Sequence, residues 1–144
     1  MIVHAPAVAR ILGGYPTLGR RVRTVGELRR AVERGLPVKA LDAVVRYVAG
    51  DRPGAAEFKY RIVPKTTLHR RKRLTVEESQ RLERLARLVA LAEQVWENAD
   101  LAREFLTSPQ PQLDGERPID LARSELGARE VEDLLLALEY ALPA

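Results

Sequence analysis

Residues 64–73 read PKTTLHRRKR, and the conformation of this run decides what the chain is. It holds Lys65, His69, Arg70, Arg71, Lys72 and Arg73, and no acid. Pro64 suits a helix start, where its missing N–H costs nothing. At about 100° per residue, an inward Leu68 turns Thr66, Arg70 and Arg73 nearly opposite. Thr67 and His69 then flank that face, and Lys65, Arg71 and Lys72 lie toward the rim. The spacing predicts a short helix with one apolar anchor and a cationic outer face.

The same run marks a charge boundary. Residues 1–73 hold 17 Lys and Arg against 5 Asp and Glu, a net of +12, while residues 74–144 hold 7 against 15, a net of −8. This predicts two modules with different partners, 1–73 and 74–144. A chain of 144 residues with 46% apolar content can build a core, and 31% charged residues fit a soluble protein. There is no cysteine, which excludes disulfides and thiolate metal sites and fits a cytoplasmic location. The longest apolar runs, Leu88–Ala92 and Leu134–Leu138, fall far short of the roughly 20 residues that span a bilayer. Pro6 and Arg10 interrupt any signal-like stretch at the start. Aromatic residues, at 5%, are too few for binding single strands by base stacking.

Upstream of the basic run the pattern is helical. Ala5–Leu12 allows one or two turns closed by Gly13 and Gly14, after which Pro16 and Gly19 predict irregular chain through Arg23. Thr24 and Glu27 have capping-box spacing, and Val25, Leu28, Ala31 and Val32 form one face up to Gly35. Pro37 opens a helix bearing Val38, Leu41, Val44, Val45 and Val48. After the turn at 51–54, Ala55–Ile62 reads as a short helix anchored by Phe58 and Ile62. A short helix, a tight connection and a second short helix with an exposed cationic face form the helix-turn-helix pattern. Arg can donate two hydrogen bonds to guanine, Thr can reach a base edge or phosphate, and Lys neutralises phosphates. The candidate DNA contacts are therefore Lys65, Thr66, Thr67, His69, Arg70, Arg71, Lys72 and Arg73. A charge run is also a common solvated face or hinge, but Leu68 and the preceding helix favour the DNA reading. The only other histidine is His4, so His69 reads as a surface or phosphate-contacting residue and not as a metal ligand.

Downstream, Thr75 and Glu78 again have capping-box spacing and open the longest helix, to about Glu97. Leu82, Leu85, Val89, Ala92 and Trp96 form one stripe, and Leu88, Leu91 and Val95 a second. Two stripes predict packing on both sides, by a central bundle position or by a second chain. Asn98 caps a helix over Ala99–Thr107 with Leu101, Phe105 and Leu106 inward. Residues 108–117 read as a loop, Pro118 opens a short helix ended by Gly127, and a last helix spans about Ala128–Ala141. On that helix Leu136 and Tyr140 lie opposite the core face, beside Asp133, as an apolar pair on an acidic surface. Nothing suggests an enzyme or a cofactor, since there is no Cys, no paired His and no Gly-rich phosphate loop.

Residues 74–144 hold, in order, Glu78-Ser79 with Arg81-Leu82, Phe105-Leu106, Pro109, Leu113-Asp114-Gly115, Pro118-Ile119-Asp120-Leu121, Ser124-Glu125-Leu126-Gly127, Val131 and Glu139-Tyr140. In these motifs they resemble the toxin-binding domain of the Xre/MbcA/ParS antitoxin family. Ahead of them, Gly35-Leu36-Pro37 and Pro64–Arg71 resemble the family's Xre-type DNA-binding half. Phe105 stands where the family often has tryptophan, and the glycine frequent near 61–63 is absent. The resemblance implies an all-α protein with an Xre-like helix-turn-helix module and a C-terminal helical toxin-binding bundle. It implies an antitoxin that covers the NAD-binding cleft of a RES-domain toxin, represses its own operon, and assembles as a homodimer or a larger complex with the toxin. The candidate toxin contacts are Asp133, Leu136, Tyr140, Arg117 and Leu142. The alternative is a stand-alone regulator whose C-terminal domain only oligomerises.

Overall fold

The computed structural model describes residues 3–50, 52–68 and 70–141. Among these the chain is all-α, with ten α-helices and a single 3-10 turn. The helices are α1 (Ala5–Ile11), α2 (Gly14–Leu18), α3 (Val25–Glu33), α4 (Val38–Ala49), α5 (Ala55–Ile62), α6 (Lys65–Leu68), α7 (Val76–Trp96), α8 (Ala99–Thr107), α9 (Pro118–Leu121) and α10 (Glu125–Ala141). The 3-10 turn, Pro111–Leu113, lies in the expected loop before α9. Among the described residues no helix is long and apolar enough to cross a membrane.

Helix α7 is the axis of the molecule. Its start is the expected capping box: Thr75 Oγ1 accepts the Glu78 N–H at 3.1 Å, and Glu78 Oε1 accepts the Thr75 N–H at 2.8 Å. Such a cap contributes on the order of 1 kcal/mol. Helices α1, α3, α4 and α5 pack on α7 from the first half of the chain, and α8 and α10 from the second. Leu82, Ala86, Leu88, Val89 and Ala92 are wholly buried as a result. Both apolar stripes are thus covered within one chain, so the second stripe needs no partner chain. The core is continuous from Ala5 to Leu135, and α7 belongs to both halves.

Several elements depart from their sequence pattern. Residues 14–18, expected to be irregular, form α2, because Pro16 falls in the first turn where its missing N–H is tolerated. Val25 and Leu101, assigned to apolar faces, point to solvent; Leu28 and Val32 carry α3, and Ala102, Phe105 and Leu106 carry α8. Gly127 does not end a helix. It lies inside α10, which begins at Glu125, and a Cβ there would stand 2.1 Å from the Leu121 carbonyl oxygen. Glycine therefore lets α10 cross the end of α9 in contact, while Ser124 Oγ accepts its N–H at 2.9 Å.

Candidate functional site

The basic run is not one helix. Helix α6 covers only Lys65–Leu68, and the chain then leaves the helix with Arg70 in the left-handed region at φ 64°. From Arg71 it runs extended against residues 35–38, where Val38 N–H bonds Lys72 O at 2.9 Å and Leu74 N–H bonds Leu36 O at 2.8 Å. Gly35 permits this approach: at φ +87°, a Cβ would lie 2.5 Å from the Leu74 carbonyl oxygen. A long-range backbone pairing therefore overrides the helical continuation that the local pattern favours. The expected outer face of Thr66, Arg70 and Arg73 does not exist as a helix face. Leu68, as expected, turns inward and packs on the core.

The turn between α5 and α6 is Val63-Pro64. Val63 is extended (φ −136°, ψ 119°) and wholly buried, so this turn requires no glycine. Ile62, the last residue of α5, has its carbonyl capped by Arg81 Nη1 at 2.9 Å.

Two arginines of the run bond to the protein, Arg71 half-buried and Arg73 exposed. Arg71 Nη2 donates to both carboxylate oxygens of Glu78 at 2.9 Å, and Glu78 is only 6% exposed. Burial works to raise the Glu78 carboxyl pKa, but the Arg71 bonds, the Thr75 N–H and the adjacent guanidinium outweigh it and hold the group below its ordinary value. Arg73 Nη1 donates to the Gly35 carbonyl at 2.8 Å. Nearby, Ser79 is buried and its Oγ accepts the Leu36 N–H at 2.8 Å. Glu78, Ser79 and Arg81, three polar positions in the first turns of α7, thus hold the loop after α6, the 35–38 segment and the end of α5 respectively. Their spacing shows in the sequence, but their partners lie 7 to 43 residues away.

The remaining residues form the exposed surface of the turn. Lys65, Thr66, Thr67, Arg70 and Lys72 are solvent-facing. The Thr67 hydroxyl donates to Pro64 O at 2.7 Å, and Lys65 Nζ stands 6.0 Å from the centre of the Tyr60 ring. His69 lies outside the described residues.

A second candidate surface runs along α10. Leu126, Glu130, Asp133, Ala137 and Tyr140 are exposed and recur at intervals of three and four, so they share one face about 21 Å long. Tyr140 is 80% exposed and Leu126 is 71% exposed; Leu136 beside them is half-buried. Leu126 was not among the expected contacts, although its interval from Tyr140 places it on the same face. Arg117 is elsewhere. It pairs with Asp120 at 2.8 and 3.2 Å, which raises its pKa, and it lines a groove with Arg52, Glu57 and Arg61. Arg61 reaches the same carboxylate at 3.6 Å. Leu142 lies outside the described residues.

Two family models match the chain. Residues 27–87 match the antitoxin Xre-like helix-turn-helix domain, and residues 91–141 match the antitoxin Xre/MbcA/ParS C-terminal toxin-binding domain. The chain is also similar to a curated protein of Pseudomonas putida named Antitoxin Xre, with 35% identity over 74 residues. That alignment covers 51% of this chain and 46% of the relative, so it spans about half the length of each.

Proposed function

Because the chain belongs to the Xre-type antitoxin family, with the helix-turn-helix domain followed by the toxin-binding domain, we propose that it is the antitoxin of a toxin–antitoxin pair. Its C-terminal domain binds a RES-domain toxin and blocks the NAD-binding cleft, and its N-terminal half represses the operon that encodes both. The reading rests chiefly on the opposition of its two surfaces. The turn at 63–72 presents Lys65, Thr66, Thr67, Arg70 and Lys72 to solvent, whereas the outer face of α10 presents Asp133 and Glu130 between Leu126 and Tyr140. The first suits a phosphate backbone and the base edges beside it. The second suits a cationic cleft that binds a dinucleotide phosphate, with exposed apolar ends supplying contact area. Families of this kind are typically not enzymes.

DNA contact at the turn is assigned to Lys65, Thr66, Thr67, Arg70 and Lys72; Arg71 is assigned to holding the turn, and Arg73 bonds Gly35 O through one of its N–H groups. Toxin contact is assigned to Asp133, Leu136 and Tyr140, with Leu126 added. Arg117 is left to the α5–α9 junction. Co-expression with the RES-type product of a neighbouring gene tests the antitoxin role. The expected outcome is restored growth, preserved cellular NAD and a co-purifying complex. No complex and no relief of toxicity would refute it. Repression of a reporter under the gene's own promoter tests the regulatory role separately.

A further inference from the structure

Beside the recognition turn lies a cleft of about 180 Å³ that neither candidate surface includes. Its floor is apolar, with Leu18, Val22, Leu36 and Pro37, and its wall carries Arg20, Arg21, Arg30, Arg34 and Arg73. Arg20 and Arg21 precede the first matched region, which starts at residue 27. We propose that this cleft is a second DNA-backbone site, which seats a phosphodiester of the duplex flanking the bases read by the turn. The proposal extends the DNA-binding part of the function above.

Charge is the first support. Five guanidiniums line the cleft against one acid, Glu27. That acid is already engaged, by the Arg23 guanidinium at 3.8 Å and the Arg23 N–H at 3.3 Å, and by the Thr24 hydroxyl at 3.4 Å. Among the described residues Arg20, Arg21, Arg30 and Arg34 form no ion pair, whereas Arg29 on the same helix pairs with Glu33 at 2.8 Å. Like charges gathered without counter-charge repel, and an anion from outside relieves that repulsion.

Chemistry narrows the anion. A guanidinium presents a planar fork of N–H donors that matches phosphate oxygens, and several forks around one opening match a phosphodiester. No aromatic ring lines the cleft, so a free nucleotide would find nothing on which to stack its base. Position narrows it further. Arg73 is both a wall of the cleft and a residue of the extended run after α6, paired across to Pro37. Its bond to Gly35 O uses one N–H and leaves the others for a ligand. The cleft therefore adjoins the extended run that follows the turn, within reach of a backbone that passes the turn.

The test uses the full chain and two duplexes, one carrying the gene's own promoter and one of equal length and scrambled sequence. Binding is measured by fluorescence anisotropy over a salt series. In the Arg20→Ala/Arg21→Ala variant, and separately in Arg34→Ala, the log–log salt slope should flatten by about one per phosphate contact removed. At about 0.1 M salt this amounts to roughly an eightfold loss per contact, equal on both duplexes. Arg20→Lys/Arg21→Lys should restore most of the slope, which a purely structural role for the guanidinium would not allow. Arg46→Ala, an exposed arginine outside the cleft, serves as the control for simple charge loss. If wild type binds DNA and the cleft variants keep its slope, the cleft proposal fails alone. If wild type shows no preference for the promoter duplex but loses slope in the variants, the operator reading fails and the cleft stands. No binding of either duplex by wild type overturns both.

Discussion

Arg71 and Arg70 are adjacent, equally charged and both candidate DNA contacts in the sequence, yet they should behave oppositely when truncated. Arg71 bonds both oxygens of a carboxylate that is 6% exposed. Breaking a fully buried ion pair from one side costs about 3–5 kcal/mol. The Arg71 side chain keeps 29% of its exposure, so water reaches part of the guanidinium and about 2–3 kcal/mol is expected for Arg71→Ala. Glu78→Ala should cost a similar amount, since it also removes half of the α7 capping box. The double variant should fall short of the sum by about 2 kcal/mol, the coupling of a direct pair. Arg70→Ala should change stability by no more than about 0.5 kcal/mol while weakening promoter binding by about 1–3 kcal/mol if it contacts a base. Urea unfolding followed by circular dichroism gives the first set, and fluorescence anisotropy gives the second. An Arg71→Ala variant as stable as wild type, with additive behaviour in the double, would refute the clamp. The DNA face would then have to include Arg71.

Further outcomes follow from single contacts. Ser79→Ala strands the buried Leu36 N–H and should destabilise by about 1–3 kcal/mol in thermal unfolding. Gly127→Ala improves helix propensity yet drives a Cβ into the Leu121 carbonyl, so it should lower stability by about 2 kcal/mol; a stabilised variant would show that α10 does not cross α9 in this contact. Because the folded Glu78 carboxyl titrates below its ordinary value of 4.5, its contribution is complete above that pH and is lost as pH falls through the lower folded value. Acid unfolding of Glu78→Gln should accordingly show a shallower pH slope below about 4.5, measured by circular dichroism. Tyr140→Asp, at a position 80% exposed, should leave folding and DNA binding intact and abolish toxin neutralisation in co-expression; unchanged neutralisation would remove α10 from the interface.

The helices with strong end signals were legible without coordinates. Thr75, Glu78 and the two stripes of α7, and Asn98 before α8, specify their elements through contacts a few residues apart. The α10 positions Leu136 and Tyr140 were placed away from the core for the same reason. Helix α6 was not legible beyond Leu68. Its local pattern favours helix, whereas the bonds that end it come from Leu36 and Val38, more than thirty residues earlier. Arg71 and Arg73 could not be told from Arg70 and Lys72 in the sequence, because charge alone does not distinguish a free side chain from one bonded to Glu78 or Gly35.

What the sequence determined by itself was the inventory: helical periods, caps, a basic run and an acidic C-terminal half, with the periods and caps set by interactions within one or two helical turns. What only the tertiary structure decided was allocation. It wrapped both halves around α7, closed the basic turn against residues 35–38, and gathered Arg20, Arg21, Arg30, Arg34 and Arg73 around one cleft. Those outcomes depend on which distant carbonyls and carboxylates meet each side chain, and a one-dimensional pattern carries no such distances.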